Sequence, residues 1–309
     1  MADPNRMASM RPRHPMSRRT FLRSVGAVAL SGTSTASYGW GVESHHLVVE
    51  NVPLPLPNLA PRWQGKRIVQ LTDLHANGRD SASLFRRAFA MAAACKPEFI
   101  AVTGDWVNDN LDHMDDIFQG LSQVPRDIPI IGTLGNHDYG YKRKEGTIDR
   151  ALCAMLKAQG VRMLRNELWQ PFTGPGELCI AGLEDYWVHR CDPATLNAVP
   201  EDAASLVLSH NPDSYDILAE QRWDAVLCGH THGGQVRLPG IGALKVPVTH
   251  TEWSAGLYLP DGPKTNRLMY VSRGVGHWFR MRLFCPPEVT CLTLECPAPP
   301  RPHSLPPLP

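Results

Sequence analysis

The chain has 309 residues, of which 43% are hydrophobic, and its formal net charge is only +1. This length favours one or two domains with a full hydrophobic core, and the near-neutral charge provides no basic field for nucleic acid. The charge is unevenly placed, because residues 1–36 hold six arginines and one aspartate. The remainder carries 25 basic and 29 acidic residues, and this mildly acidic body argues against nucleic acid as the main partner.

The N-terminus has the pattern of an export signal. Ser17-Arg18-Arg19-Thr20-Phe21-Leu22-Arg23 matches a twin-arginine signal, and no charged residue follows from Ser24 to Val42. This uncharged run is rich in small residues and falls short of the roughly 20 strongly apolar residues that a spanning helix needs. Ser34-Thr35-Ala36 offers small residues for cleavage. The alternative is a disordered basic arm. The pattern predicts recognition by the twin-arginine translocation machinery and a location in the periplasm or on the outer face of the cytoplasmic membrane, with contact to the membrane or cell envelope.

Composition divides the chain into four parts. Residues 1–42 are the predicted signal segment, and residues 43–66 form a Pro-rich lead-in that we expect to lie over the body. Residues 67–295 alternate short apolar runs with helical patterns and are the predicted catalytic domain. Residues 296–309 are dominated by proline, which predicts a disordered or extended tail.

Short apolar runs predict strands within the central part. Helical spacing of apolar residues predicts one helix from Ser81 and another from Thr147 that ends at Gly160. The predicted strands cover residues 68–71, 99–102, 128–131, 178–181, 206–208 and 225–228. Continuous apolar runs imply strands covered on both faces, which two sheets with outer helices would satisfy.

Metal-ligand residue types follow five of these strands directly. Open α/β sheets place their ligand crevice at the carboxyl ends of the strands, so we expect these segments to meet. The five segments are Asp73-Leu74-His75, Gly104-Asp105, Gly135-Asn136-His137-Asp138, Ser209-His210 and Gly229-His230-Thr231-His232.

The spacing and chemistry of these residues predict two divalent metal ions. Asp73 and His75 are two residues apart, so both can reach one ion from a loop, and a carboxylate such as Asp105 can bridge two ions. His230 and His232 have the same spacing and can divide between the ions. Nitrogen and oxygen ligands without thiolate suit Mn, Fe or Zn, whereas Mg prefers mostly oxygen. The sequence does not choose among the three.

With these motifs the chain resembles the calcineurin-like metallophosphoesterases, and in particular a branch of exported bacterial enzymes with twin-arginine signals. The resemblance covers roughly residues 66–295. It extends to four further motifs, which are Ser209-His210-Asn211-Pro212-Asp213, Gly233-Gly234-Gln235, Ser272-Arg273-Gly274-Val275-Gly276 and Cys285-Pro286-Pro287-Glu288. The resemblance implies a four-layer αββα sandwich, in which two mixed β-sheets are flanked by helices and a dinuclear metal site lies at the carboxyl ends of the strands.

The resemblance also implies roles for the motif residues. One ion would be held by Asp73, His75, Asp105 and His232, and the other by Asp105, Asn136, His210 and His230. A hydroxide bridging the two ions would attack phosphorus, and His137 would stabilise the transition state or protonate the leaving alkoxide.

One position departs from the family pattern. Related phosphatases often have an aspartate three residues after the Gly-Asp carboxylate to support the histidine, whereas Asn108 occupies that position here. Asn orients an imidazole but stabilises its cation less strongly. Asp138 is the alternative neighbour of His137.

Arg273 lies in a Gly-rich turn and has two interpretations. Its guanidinium can bind substrate phosphate, since the planar fork fits phosphate oxygens, or it can bind backbone carbonyls at the turn. The predicted function is hydrolysis of phosphodiester or diphosphate bonds in a phosphorylated small molecule or lipid, such as an envelope lipid or a nucleotide-linked sugar. The alternatives are a phosphomonoesterase and a non-catalytic, metal-containing envelope-binding protein.

Overall fold

The computed structural model describes residues 33–78, 80–141, 146, 148–171, 174–262 and 265–296. The twin-arginine motif and the Pro-rich residues 297–309 lie outside these residues. Among the described residues, no helix has both the length and the apolar character required to cross a membrane.

Helices and strands alternate along the described chain. The helices are α1, whose described part covers residues 33–41, α2 (Ser81–Ala94), α3 (Met114–Leu121), α4 (Asp149–Ala158) and α5 (Tyr215–Leu218). The strands in the described residues are β1 (Val48–Pro55), β2 (Arg67–Leu71), β3 (Ile100–Thr103), β4 (Ile130–Thr133), β5 (Val161–Met163), β6 (Glu167–Trp169), β7 (Leu178–Gly182), β8 (Ala204–Leu208), β9 (Ala225–Cys228), β10 (Arg237–Leu238), β11 (Gly242–Ala243), β12 (Gly256–Tyr258), β13 (Leu268–Val271) and β14 (Glu288–Glu295).

Most of these strands form two six-stranded mixed sheets. The first sheet has the order β1-β14-β2-β3-β4-β5, in which only the β14–β2 pair is antiparallel. The second has the order β12-β13-β9-β8-β7-β6, with antiparallel pairs only at its two edges. The strands that precede the metal-ligand motifs are β2, β3 and β4 in the first sheet and β8 and β9 in the second. Within each sheet they are parallel to one another, so their carboxyl ends lie along a common edge.

Three hydrophobic clusters separate four layers. The cluster between the sheets takes Ile68, Ala101 and Leu292 from the first sheet and Ile180, Leu206 and Leu227 from the second. Another packs the opposite face of the first sheet on α2, α3 and α4, and the third packs the second sheet on short helices that include α5. The predicted α/β sandwich of two mixed sheets between helices is confirmed.

Helix α2 buries the apolar face that its sequence predicts. Leu84, Phe85, Ala88, Phe89 and Ala92 are all buried. Helix α3 packs against this face through Gly120, where an added Cβ would lie 2.6 Å from a ring carbon of Phe89. The close approach of the two helices thus depends on a missing side chain.

The predicted lead-in, residues 43–66, differs from a segment that merely lies over the body. Its residues Val48–Pro55 form β1, which pairs in parallel with β14 along its whole length. Pro53 and Pro55 are tolerated because β1 is the edge strand of the first sheet, where a missing N–H breaks no central ladder. This segment therefore belongs to the first sheet.

Candidate metal centre

The predicted ligand residues come together where the two sheets meet. Loops after β2, β3 and β4 bring residues from the first sheet, and loops after β8 and β9 bring residues from the second. All seven side chains are buried, and they are Asp73, His75, Asp105, Asn136, His210, His230 and His232. The structure thus gathers at one place every residue that the sequence predicts as a ligand.

Five of the seven residues have left-handed backbone conformations. The φ angles are 53° at Asp73, 48° at His75, 51° at Asp105, 67° at His230 and 50° at His232. Such conformations cost non-glycine residues about 1–3 kcal/mol each and persist where the surrounding structure enforces them, commonly at functional sites. The loops are therefore held in a strained backbone conformation, and their five side chains are buried at the site.

The first group of side chains consists of Asp73, His75 and His232, which have donor atoms close enough to share one ion. Nε2 of His232 lies 3.3 Å from Oδ1 of Asp73, and Nε2 of His75 lies 3.8 Å from the same oxygen. The two Nε2 atoms are 3.0 Å apart. Burial lowers the pKa of His75 to about 3 and lowers that of His232 as well. Both imidazoles are therefore neutral, which is the form that binds metals.

The second group consists of Asp105, His210 and His230. Nε2 of His210 lies 3.1 Å from Oδ2 of Asp105 and 3.3 Å from Nδ1 of His230. Nδ1 of His210 donates to the carbonyl of Thr103 at 2.8 Å, and Nε2 of His230 donates to the carbonyl of Pro247 at 3.1 Å. Because a carbonyl only accepts, these bonds fix the tautomers and direct the other nitrogen of each ring into the site.

Asp105 lies between the groups, and the buried Asn136 directly precedes His137, whose backbone N–H contacts Asp105. Oδ2 of Asp105 is also 3.4 Å from Nε2 of His75, so this carboxylate faces both groups. The buried amide of Asn136 has no hydrogen-bond partner for its nitrogen or its oxygen among the described residues. An orphaned buried amide costs about 1–3 kcal/mol. An oxygen ligand for a cation relieves that cost, so the residues present fit a metal site.

Charges at the centre are unbalanced without a cation. Burial raises the pKa of Asp73 to about 6, although the charge of His210 opposes this. Burial acts in the same direction on Asp105, but the neighbouring imidazoles outweigh it and hold its pKa well below the usual range. Burial would lower the pKa of His210, and the Asp105 carboxylate reverses the effect. Two buried carboxylates thus share one imidazole that readily takes a proton. The centre lacks positive charge, which divalent cations would supply.

The calcineurin-like phosphoesterase family matches residues 66–234. The chain belongs to this family. Membership makes it a metallophosphoesterase, a hydrolase that acts on phosphoric ester bonds.

Three relatives match most of the chain. The phosphodiesterase YaeI of Escherichia coli is 33% identical over 90% of this chain and 99% of its own length. The UDP-2,3-diacylglucosamine pyrophosphatase LpxG of Chlamydia muridarum is 27% identical over 86% of this chain and 95% of its own. The uncharacterised metallophosphoesterase YkuE of Bacillus subtilis is 27% identical over 91% of this chain and 98% of its own.

His137 lies at the mouth of this phosphoesterase centre, and the carboxylate beside it is Asp109. Nδ1 of His137 is 3.1 Å from Oδ1 of Asp109, and its side chain is 21% exposed. Its backbone N–H donates to Oδ1 of Asp105 at 2.9 Å. Sequence reasoning considered Asn108 and Asp138 for this role and missed Asp109. Asp109 directly follows Asn108 in the sequence, but its contact with His137 depends on its own left-handed backbone, with a φ of 64°.

Asp138 ties two ligand loops together. Its buried carboxylate accepts the N–H of Val107 at 3.1 Å and the N–H of Gly135 at 2.9 Å. Burial and the nearby charge of Asp105 raise its pKa to about 8. These contacts join the loop after β3 to the loop after β4, so Asp138 serves the backbone rather than the His137 ring.

Arg273 of the Gly-rich turn and Arg282, which follows the turn, are both held by protein groups. Arg273 forms an ion pair with Glu288 at 2.9 Å and another with Glu50, and it donates to the carbonyl of Pro286. Contact of Arg273 with substrate stays a prediction. The fully buried Arg282, which sequence reasoning missed, donates to four carbonyls, those of Arg273, Gly274, Gly276 and Cys285.

Arg282 thereby positions the turn against the first metal-ligand loop. The N–H of Gly276 donates to the carbonyl of Asp73 at 2.8 Å, and a Cβ at Gly276 would lie 2.0 Å from the carbonyl oxygen of Leu74. Only a glycine fits this approach. The buried guanidinium therefore supports the backbone that carries Asp73.

Proposed function

We propose that this phosphoesterase hydrolyses phosphodiester or diphosphate bonds in an envelope lipid or a nucleotide-linked sugar, with two divalent ions of Mn, Fe or Zn. The observation that carries the proposal is the arrangement of the two buried His/Asp groups, with Asp105 facing both. A third combination, His75, Asp105 and His137, places His137 at the same centre. One ion is assigned to Asp73, His75, Asp105 and His232. The other is assigned to Asp105, Asn136, His210 and His230.

The bound cations would acidify a water for attack and neutralise charge on the phosphoryl oxygens. The protein's own residues hold the geometry for this reaction. Hydrogen bonds to Thr103 and Pro247 orient His210 and His230 before any substrate arrives. The Asp138 carboxylate fixes the two loops that carry Asp105 and Asn136.

His137 is assigned the proton transfer to the leaving oxygen. Its Nδ1 faces Asp109, which leaves Nε2 as the nitrogen that delivers a proton. The position at the rim suits this task, because a leaving group larger than phosphate has to extend toward solvent. General acid catalysis of this kind contributes about 10²- to 10⁴-fold.

The substrate class is supported by the relatives' names. One relative is named for a phosphodiesterase activity and another for cleavage of the diphosphate of UDP-2,3-diacylglucosamine. Both names describe substrates in which two organic groups are linked through phosphorus, by one phosphate in a diester and by two in a diphosphate. The diester or diphosphate is therefore preferred to a phosphomonoester, and a retained ligand set argues against the non-catalytic binder.

Export by the twin-arginine route is proposed from Arg18 and Arg19 and the uncharged run that follows. The periplasm, or the outer face of the cytoplasmic membrane, is then where the enzyme meets its substrate. Replacing both arginines by lysine should retain the protein in the cytoplasm, as judged by cell fractionation. Unchanged export of that variant would contradict the proposal.

The first experiment is hydrolysis of a simple aryl phosphodiester by purified protein with added manganese. Asp105→Asn should abolish turnover and lower bound metal, because this carboxylate faces both groups. Asp115→Asn, on the exposed face of α3, is the matched control and should behave as the unaltered protein. Metal-loaded protein that cleaves an aryl phosphomonoester but no diester or diphosphate would favour the monoesterase. Bound metal with no turnover on any ester would favour the binding protein.

A further inference from the structure

A strip of exposed apolar side chains borders the metal centre. Three segments form it, namely the end of α1, the loop 278–284 and the region of the β10–β11 hairpin. Its exposed members are Tyr38, Trp40, Val42, Trp278, Phe279, Phe284, Ile241 and Leu244. We call this set the apolar strip. Water-soluble surfaces rarely leave such a set uncovered without a binding role.

Backbone and ring contacts join the three segments. The N–H of Arg282 donates to the carbonyl of Gly39 at 3.1 Å, which seats α1 on the loop 278–284. The Arg280 guanidinium lies 5.8 Å from the Trp40 ring centroid. On the other side, the N–H of Arg237 in β10 donates to the carbonyl of Leu283 at 2.9 Å. These contacts hold the three segments next to one another, so their exposed apolar side chains belong to neighbouring parts of the surface.

The apolar strip is attached directly to the metal-ligand loops. Sγ of Cys285 donates to the carbonyl of His232 at 3.3 Å, one residue from Phe284. The Arg237 guanidinium donates to the carbonyl of Gly233 at 2.9 Å. Gly276, two residues before Trp278, donates its N–H to Asp73. A molecule that covers the strip would thus lie beside the mouth of the site.

The charge of these segments has one sign. Residues 237–245 contain Arg237 and Lys245, and neither they nor residues 277–284 contain an acidic residue. Arg280 is the arginine of residues 277–284 that reaches the surface, because Arg282 is fully buried. The described part of α1 is uncharged. The acidic neighbours are Asp80, which pairs with Arg280 at 3.0 Å, and the buried Glu43, which accepts the N–H of Cys285. Arg237 and Lys245 therefore form the basic rim of the strip. Apolar and aromatic side chains with a basic rim match the interface of an anionic bilayer.

We propose that the apolar strip is a docking surface for a bilayer of anionic phospholipid, which sets the metal centre at the level of the headgroups. The aromatic rings would enter the interface, and the basic rim would face the phosphates. Helix α1 lies within the uncharged run from Ser24 to Val42, so the strip includes the end of that uncharged segment. The inference rests on the proposed envelope location and narrows the substrate to one held in a membrane.

The test is sedimentation of the full-length protein with vesicles of phosphatidylethanolamine and phosphatidylglycerol, with phosphatidylcholine vesicles as the neutral comparison. The double variant Trp40→Ser/Trp278→Ser should bind the anionic vesicles about tenfold or more weakly, since each ring loses interfacial burial. Tyr141→Ser is the matched control, because this aromatic is 88% exposed and lies outside the strip. Residues 1–32 are identical in all proteins, so their own affinity for lipid cancels.

Equal binding by the double variant and the unaltered protein would overturn the proposal, as would an equal loss in Tyr141→Ser. Dimerisation without lipid that the double variant abolishes would assign the strip to a second copy instead. Asp105→Asn should bind vesicles as the unaltered protein does. Vesicle binding and the proposed reaction can therefore fail separately. If the unaltered, metal-loaded protein binds vesicles but hydrolyses no ester, only the proposed reaction is contradicted. Unchanged thermal unfolding of the double variant shows that it is folded.

Discussion

Asp109→Asn should slow turnover by acting through His137. The variant keeps the size of the side chain and removes its charge, which lies 3.1 Å from Nδ1 of His137. At that distance a unit charge pair is worth about 1.3 kcal/mol in water and about 5 kcal/mol at an effective dielectric constant of 20. The two side chains are 21% and 28% exposed, so the value lies near the lower figure, and turnover should fall about tenfold.

The assay is turnover of an aryl phosphodiester with metal content measured on the same sample. Metal content should not change, because Asp109 belongs to neither ligand group. Asn108→Ala is the matched control and should retain nearly full turnover. In a His137→Ala background, Asp109→Asn should cause no further loss. A larger effect of Asn108→Ala, or an additive loss in that background, would refute the assignment.

Three further predictions concern metal, the buried arginine and pH. Asp105→Asn should lower the metal content measured by elemental analysis, and full retention would contradict the shared-ligand assignment. Arg282→Met should lower the free energy of unfolding in urea by about 3 kcal/mol or more, because it orphans buried carbonyls. Arg222→Met removes three carbonyl contacts nearer solvent and should cost less; equal losses would contradict a special role for Arg282. The hydrogen bond from His250 to Asp216 raises the pKa of His250 above 6.5, so its contribution to stability is present at lower pH and is lost as pH rises through the folded pKa. An NMR titration should show this pKa falling in Asp216→Asn, and an unchanged midpoint would refute the cause.

The metal-ligand residues could be predicted from the sequence because their positions follow from local pattern. Each motif ends a short apolar run, and parallel strands bring their carboxyl ends together without further information. Asp105 and His210 are examples, since each comes directly after a strand and one small residue. The same apolar runs implied strands covered on both faces, which two sheets with outer helices satisfy, whereas the four-layer order was implied by the resemblance to the family.

Features that depend on backbone conformation or on distant contacts could not be predicted in the same way. Asp109 reaches His137 because of a left-handed residue that no spacing rule anticipates. Strand β1 was missed because its prolines suggested a lead-in that lies over the body, and its place at the sheet edge makes them acceptable. Arg282 has no motif, and its importance arises from four carbonyls that the fold collects around it.

The place of β14 has a consequence for how the protein is made. The last described strand, β14, lies in the first sheet between β1 and β2, and these two strands come from near the beginning of the chain. Residues 48–71 can therefore not complete their sheet until residues 288–295 have left the ribosome. Ribosomes add about 5–20 residues per second, so many seconds pass between the synthesis of β1 and the completion of the first sheet. The proposed twin-arginine signal therefore leaves the ribosome long before the first sheet can be completed.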